Sequence, residues 1–155
     1  MKLTAEMTAV DAARQVLPRS AEKFFKRGRK ALQKGDAETL HEFRISAKRF
    51  RYALEIFQPL YGPQFRKKLS QLKKLQDLLG RLNDLATARV VLENRPGAVP
   101  LTNFLDREEK EVREKFETYW KEQMDAADSE ARWIRYLTQY AGQRGRSTVT
   151  RPASE

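Results

Sequence analysis

Cysteine is absent from this 155-residue chain, and histidine occurs once. The first absence excludes a disulfide framework, a thiolate zinc site and a thiol nucleophile. The second excludes a metal site built from several histidines, and no carboxylate pair near His41 suggests another kind. Proline and glycine are scarce, at six and seven residues, and most stand where helices should end. Alternation of the strand type is missing throughout. No apolar run approaches the roughly 20 residues that span a bilayer, and Glu6 and Asp11 interrupt the N-terminal stretch where a signal peptide needs a continuous apolar core. These absences predict a soluble, cytoplasmic protein with no membrane contact and no cofactor.

What is present suits long amphipathic helices: apolar residues make up 40% and charged residues 34% of the chain. The length is enough for one domain to bury a core without staples. The net charge of +10 is unevenly spread. Residues 1–62 carry 13 Lys/Arg against 7 Asp/Glu, residues 63–95 carry 8 against 3, and residues 96–155 carry 10 against 11. The excess of +11 therefore lies wholly in the first two thirds. A field of that sign concentrates anionic partners and speeds their encounter; a generally basic, solvated surface is the plainer reading of the same numbers.

The spacing of apolar residues predicts an all-α fold, an up-and-down bundle of four long helices plus a short C-terminal one. The first helical region runs from Thr4 to Lys34 with Val10, Ala13, Leu17, Phe24, Ala31 and Leu32 inward, and Pro18 is expected to divide it. Gly35 reads as a stop and Asp36 as the next N-cap. The second helix runs to about Leu60, before Gly62-Pro63, with Leu40, Phe43, Ala47, Phe50, Leu54 and Phe57 in one arc of roughly 100°. The third, from Pro63 to about Asn94, carries Phe65, Leu69, Leu72, Leu75, Leu79, Leu82, Ala86 and Val90 on one side. After a loop at residues 95–100, the fourth spans Leu101 to Ala127. It offers Phe104, Leu105, Val112, Phe116, Tyr119, Trp120 and Met124 for packing. Asp128 or Ser129 caps the last, which holds Trp133, Ile134, Leu137 and Tyr140. Residues 1–141 are expected to form a single helical domain, and 142–155, rich in Gly, Arg, Ser and Thr, a disordered basic tail.

On the second helix His41, Arg44, Lys48 and Arg51 fall within roughly 80° of arc, a stripe about 15 Å long. Like charges at this spacing repel, a cost that a bound anion relieves. Arginine's forked donors match phosphate oxygens, lysine acts as a point charge, and a linear row suits a linear chain of phosphates. By spacing alone, the competing reading is a solvated face whose long side chains lie over apolar neighbours.

Two stretches carry a resemblance. His41-Glu42-Phe43-Arg44-Ile45-Ser46-Ala47-Lys48-Arg49-Phe50-Arg51 is followed by Leu75-Gln76-Asp77-Leu78-Leu79-Gly80-Arg81-Leu82-Asn83-Asp84. Together they resemble the CHAD domain, a conserved-histidine α-helical family with a His-x-x-Arg-x-x-x-(Lys/Arg)-(Lys/Arg)-x-Arg helix followed by Leu-Gln-x-x-Leu-Gly-x-x-x-Asp. The likeness covers about Ala21 to Leu92. It implies a non-catalytic helical protein that binds inorganic polyphosphate and associates with polyphosphate granules. It also implies that His41, Arg44, Lys48, Arg49, Arg51, Lys73 and Lys74 are anion ligands, with Arg66, Lys67, Lys68 and Arg81 as extensions. Gly80 would permit a close helix approach, and Asn83 and Asp84 would orient neighbours. CHAD domains usually hold two such repeats and this chain holds one, which implies a homodimer that completes the groove or, alternatively, a single half-sized bundle that binds weakly and alone. RNA or another nucleic acid remains the alternative partner, since phosphate contacts are shared by any polyanion, although no helix-turn-helix or RNA-recognition aromatic motif is present. An enzyme of triphosphate metabolism is rejected: Glu109-Lys110-Glu111-Val112-Arg113 ends in Arg where a Glu-x-Glu-x-Lys motif needs Lys, and no strands are available for a barrel.

Overall fold

The computed structural model describes residues 7–143, and five α-helices account for most of them: α1 (Ala9–Lys34), α2 (Ala37–Phe57), α3 (Gln64–Leu92), α4 (Val99–Tyr119) and α5 (Ser129–Gln139). No strand occurs among the described residues. The boundaries follow local chemistry. Thr8 accepts from the Asp11 N–H to cap α1, and Gly35 ends that helix at φ 63°, a left-handed conformation that glycine adopts without strain. Asp36 then caps α2 by accepting from the Thr39 N–H at 2.7 Å, a bond that lowers the pKa of its carboxyl. A short 3-10 turn, Gln58–Leu60, closes α2 ahead of Gly62.

α2 packs between α1 and α3, α4 lies on α3, and α5 returns to α1. Phe24, Phe25, Phe43, Phe50, Phe116 and Trp120 are all essentially buried. Trp120 meets Phe43 edge to face with centroids 5.2 Å apart, and Phe24 and Phe25 at 5.6 and 5.8 Å, geometries that the ring quadrupole favours. Its indole lies against Gly28, where any Cβ would overlap the ring.

Several expectations are corrected. Pro18 does not divide the first helix, because α1 is continuous through it. A proline inside a helix costs about 3 kcal/mol, and burial of Leu17, Ala21, Phe24 and Phe25 around and beyond it offsets that. Ala86 and Val90 are exposed, and Leu85 is buried in their place. A real helix drifts about 20° per heptad from a 3.5-residue repeat, so the inward stripe slides towards α4. Phe104 is exposed while its neighbour Leu105 is buried. The fourth helix leaves α geometry at Trp120, where Trp120–Met124 form a π turn closed by the Asp125 N–H on Trp120 O at 2.7 Å. Tyr140, expected inward, is also exposed. Asp128 holds the N-cap position of α5 at φ 61° without a side-chain capping bond. Gly142 still belongs to the packed structure, donating to Leu60 O at 2.8 Å and lying against Val10. The rest of the segment read as a tail, 144–155, lies outside the described residues, as do 1–6.

Gly28→Ala should lower stability by about 1–3 kcal/mol, because overpacking displaces Trp120 or the backbone; urea unfolding followed by tryptophan fluorescence checks this. Alkaline pH supplies a second test. Burial raises the pKa of Tyr61 to about 12, with Tyr119 and Tyr136 also raised. A phenol whose folded pKa exceeds its unfolded value of 10.0 stabilises the fold fully below pH 10 and loses that contribution as pH rises towards 12. Melting temperature should therefore fall across that window, in step with phenolate absorbance.

Candidate functional site

The regular α2 helix sets the candidate side chains one turn apart along one flank. His41 and Lys48 are exposed, and Arg44 and Arg51 are half-buried. His41 and Arg44 line a cavity of about 160 Å³ with Ala37 and Leu40 from α2, Leu79, Leu82, Asn83 and Ala86 from α3, and Glu109 and Arg113 from α4. Further along, the Lys48 ammonium and the Arg51 guanidinium both lie over the exposed Tyr52 ring, 5.7 and 5.2 Å from its centroid. Arg51 Nε stands 3.4 Å from Glu55, but the geometry aligns no hydrogen bond, and this buried nitrogen has no other partner. Gln76 Oε1 is the second buried side-chain atom among the described residues without a partner. At about 100° per residue, Gln76 shares a side of α3 with Asn83, and Arg51 shares a side of α2 with Arg44. Both therefore belong to the flanks where α2 and α3 meet.

Lys73 is exposed and falls on the flank of α3 that carries Gln76 and Gly80. Lys74 is about 100° away, and its ammonium lies 5.2 Å over the ring of Tyr119, on α4. Arg49 falls on the flank of Glu42, whose carboxylate pairs with Lys30 of α1 at 3.9 Å. The fold thus brings His41, Arg44, Lys48, Arg51 and Lys73 to the α2–α3 side and leaves Arg49 and Lys74 outside that set. Arg66 lines an open cleft of about 600 Å³ with Glu55 and Gln58, at the junction of α2 and α3.

Two implied roles change. Gly80 permits no close helix approach, since a Cβ there would meet nothing within 4 Å; its helix backbone is open on that side. Lys68 is no groove residue: its ammonium packs over Trp133 and Tyr136 at 4.4 and 4.9 Å. Desolvation, and then the charge of Arg132, lower its pKa.

Carboxylate pairing engages several of the arginines where α3 and α4 meet. On the α4 side Arg81 pairs with Glu108 at 3.2 Å, and Arg89 with Asp106 and with Glu109 at 3.0 Å. Arg113 binds Glu109 at 3.1 Å and donates to Gly35 O at 2.9 Å. By contrast, His41, Arg44, Lys48 and Lys73 have no carboxylate partner among the described residues. Sequence reasoning missed Glu109 and Arg113 as walls of the cavity, because their distance from His41 along the chain gives no local signal. Asn83 was read only as an orienting residue, and it too lines the cavity.

An all-helical protein with a row of unpaired cations beside two unsatisfied buried polar atoms is the class defined so far. The family model of the CHAD domain matches residues 2–93, and the chain belongs to that family. The match covers α1, α2 and α3 and stops before α4. Neither a curated protein nor a solved structure matches the chain. CHAD domains are associated in general with polyphosphate binding.

Lys68→Gln should lower the melting temperature through loss of its contacts with the α5 aromatics, while leaving anion affinity within about twofold, far below the effect of about 1.5–3 kcal/mol expected for a charged hydrogen-bond donor. Thermal melts and a polyphosphate titration on the same variant check both halves.

Proposed function

We propose that the protein binds inorganic polyphosphate along α2 and α3, holding it without catalysing its breakdown. The observation that carries this reading is the row of basic residues His41, Arg44, Lys48 and Lys73, which α2 and α3 set side by side without carboxylate partners among the described residues. Surface charges left unpaired in line repel one another at i,i+4 spacing, and a linear anion removes that repulsion. The helix backbone bare at Gly80 lets a chain of phosphates lie close to α3. Arg49 and Lys74, turned towards α1 and α4, contribute only to the general field. The protein acts in the cytoplasm, where polyphosphate granules offer the ligand.

One observation favours RNA instead. Tyr52 is 44% exposed and flanked by two cations, an arrangement on which a base can stack. The dimer rests on a different feature: Val90, Val91, Val99, Leu101 and Phe104 are exposed near the α3–α4 connection, an apolar group that a second copy would cover.

Binding of long-chain polyphosphate, RNA and duplex DNA at matched phosphate and ~150 mM salt, where loose attraction is screened, separates the partners. Arg44→Ala should weaken polyphosphate binding by at least about tenfold, the lower end of the effect of losing a charged hydrogen bond of about 1.5–3 kcal/mol. Lys48→Ala should weaken it by less, and Arg49→Ala and Lys74→Ala least. Equal affinity for all three polymers, or no loss in Arg44→Ala, removes the specific site. Stronger RNA binding that is lost in Tyr52→Ala establishes the alternative. A monomer mass by light scattering at micromolar concentration removes the dimer.

A further inference from the structure

The row of unpaired cations has two dissimilar ends. At the α3 N-terminal end it opens into the wide cleft that Arg66 lines. At the His41 end it meets the smaller cavity of about 160 Å³, whose far wall is α4. Charge changes sign between these elements: α2 and α3 together carry eleven Lys/Arg against five Asp/Glu, whereas α4 carries four against six. Arg113, the arginine of α4 that lines the cavity, is already engaged. Glu109 takes both Arg113 and, from α3, Arg89, and Arg113 also donates to Gly35 O. A polyanion lying along α2 and α3 therefore finds no further cation to follow past Arg44, and meets the Glu109 carboxylate.

Resting on the polyphosphate reading above, we infer that this cavity is an end site, which takes the terminal phosphoryl group of a linear polyphosphate and sets the direction and register of the bound chain. Its size accommodates one tetrahedral phosphoryl group and ordered water, each water occupying about 30 Å³ in the liquid. Its chemistry fits an end better than a middle. A terminal phosphoryl carries about 1.5–2 negative charges near neutral pH, against one for each internal phosphate. His41 and Arg44 converge on the cavity as donors, and the Asn83 amide supplies one more. Glu109, held by two arginines, bars an onward phosphate while leaving the pocket close to neutral behind the ligand. Arg113 is a positioning residue: by fastening α4 to the α1–α2 turn through Gly35 O, it holds the closed wall opposite His41.

The test compares a short linear polyphosphate with the same chain whose two ends are blocked as alkyl phosphoramidates, which removes one charge per end and adds bulk. Calorimetry on the full chain should show the free-ended ligand binding at least fivefold tighter. Phosphorus NMR should show the terminal resonance shifting or broadening before the internal ones. Ala86→Phe, which fills the cavity from the exposed side of α3, should bring the free-ended affinity down to the blocked value. Asn83→Asp, which adds a negative charge to the same wall, should do likewise and guards against a folding defect in the first variant. Equal binding of free and blocked chains overturns the end site and leaves the polyphosphate reading standing. Failure of both ligands to bind overturns both. A free-end preference that survives both variants shows that the end is read elsewhere, and equally overturns the inference.

Discussion

The seating of Trp120 on Gly28 is the contact on which the rest of this bundle depends. An indole is too large to enter the space beside α1 unless the facing residue lacks a Cβ, and Gly28 supplies that space. The π turn at Trp120–Met124 carries one extra residue within the helical path, and π turns of this kind are commonly found where a side chain has to be re-aimed. Once seated, Trp120 touches Phe24, Phe25 and Phe43, so one side chain joins α1, α2 and the end of α4. The family match ends at residue 93, yet Phe116, Trp120 and Met124 lie beyond it and complete the same core. The aromatic surface of the matched segment is covered by the part of the chain that the match does not include.

That joining also decides the electrostatics. With α4 laid along α3, its acidic residues reach Arg81 and Arg89, and Glu109 also pairs with Arg113 one turn along α4 itself. Exposed pairs of this kind each contribute about 0–1 kcal/mol, so they do little to hold the fold. Their larger effect is local: they engage Arg81 and Arg89 on the side of α3 that meets α4, while Arg44, Lys48 and Lys73 keep no carboxylate partner among the described residues. Arg29 shows the same pattern elsewhere, clamped between Asp125 at 2.7 Å and Glu130 at 2.5 Å. The hydrogen bonds that Arg29 donates to the Asp125 carboxylate are the main cause of the rise in its pKa.

Much of the helix layout was readable from single residues. Gly35 and Asp36 mark a stop and a start because a left-handed residue and a carboxylate cap are local requirements, and both stand where expected. Phe43, Ala47, Phe50 and Leu54 form the core stripe of α2, since periodicity reports which face meets a neighbour. Pro18 misled because local propensity weighs a missing hydrogen bond, whereas the continuous α1 is held by side chains buried along its length. Phe104, Ala86 and Val90 misled because apolar character and spacing do not say where a neighbouring helix runs out. The candidate site was legible as a stripe on one helix, His41 through Arg51. Its division was not, since Arg49 and Lys74 are set apart by the helices that happen to flank them.

The row of basic residues beginning at His41, the helix boundaries and the family motif depend on neighbours a few positions apart, and the amino-acid order alone determines them. Which of those cations stay unpaired, where the row ends and what closes it depend on α4, whose Glu109 and Arg113 lie far along the chain from His41 and meet its cavity only through packing. Charge and spacing act locally and can be counted from the chain. Pairing and enclosure act through space over a few ångströms, and only the folded arrangement brings their members within that reach.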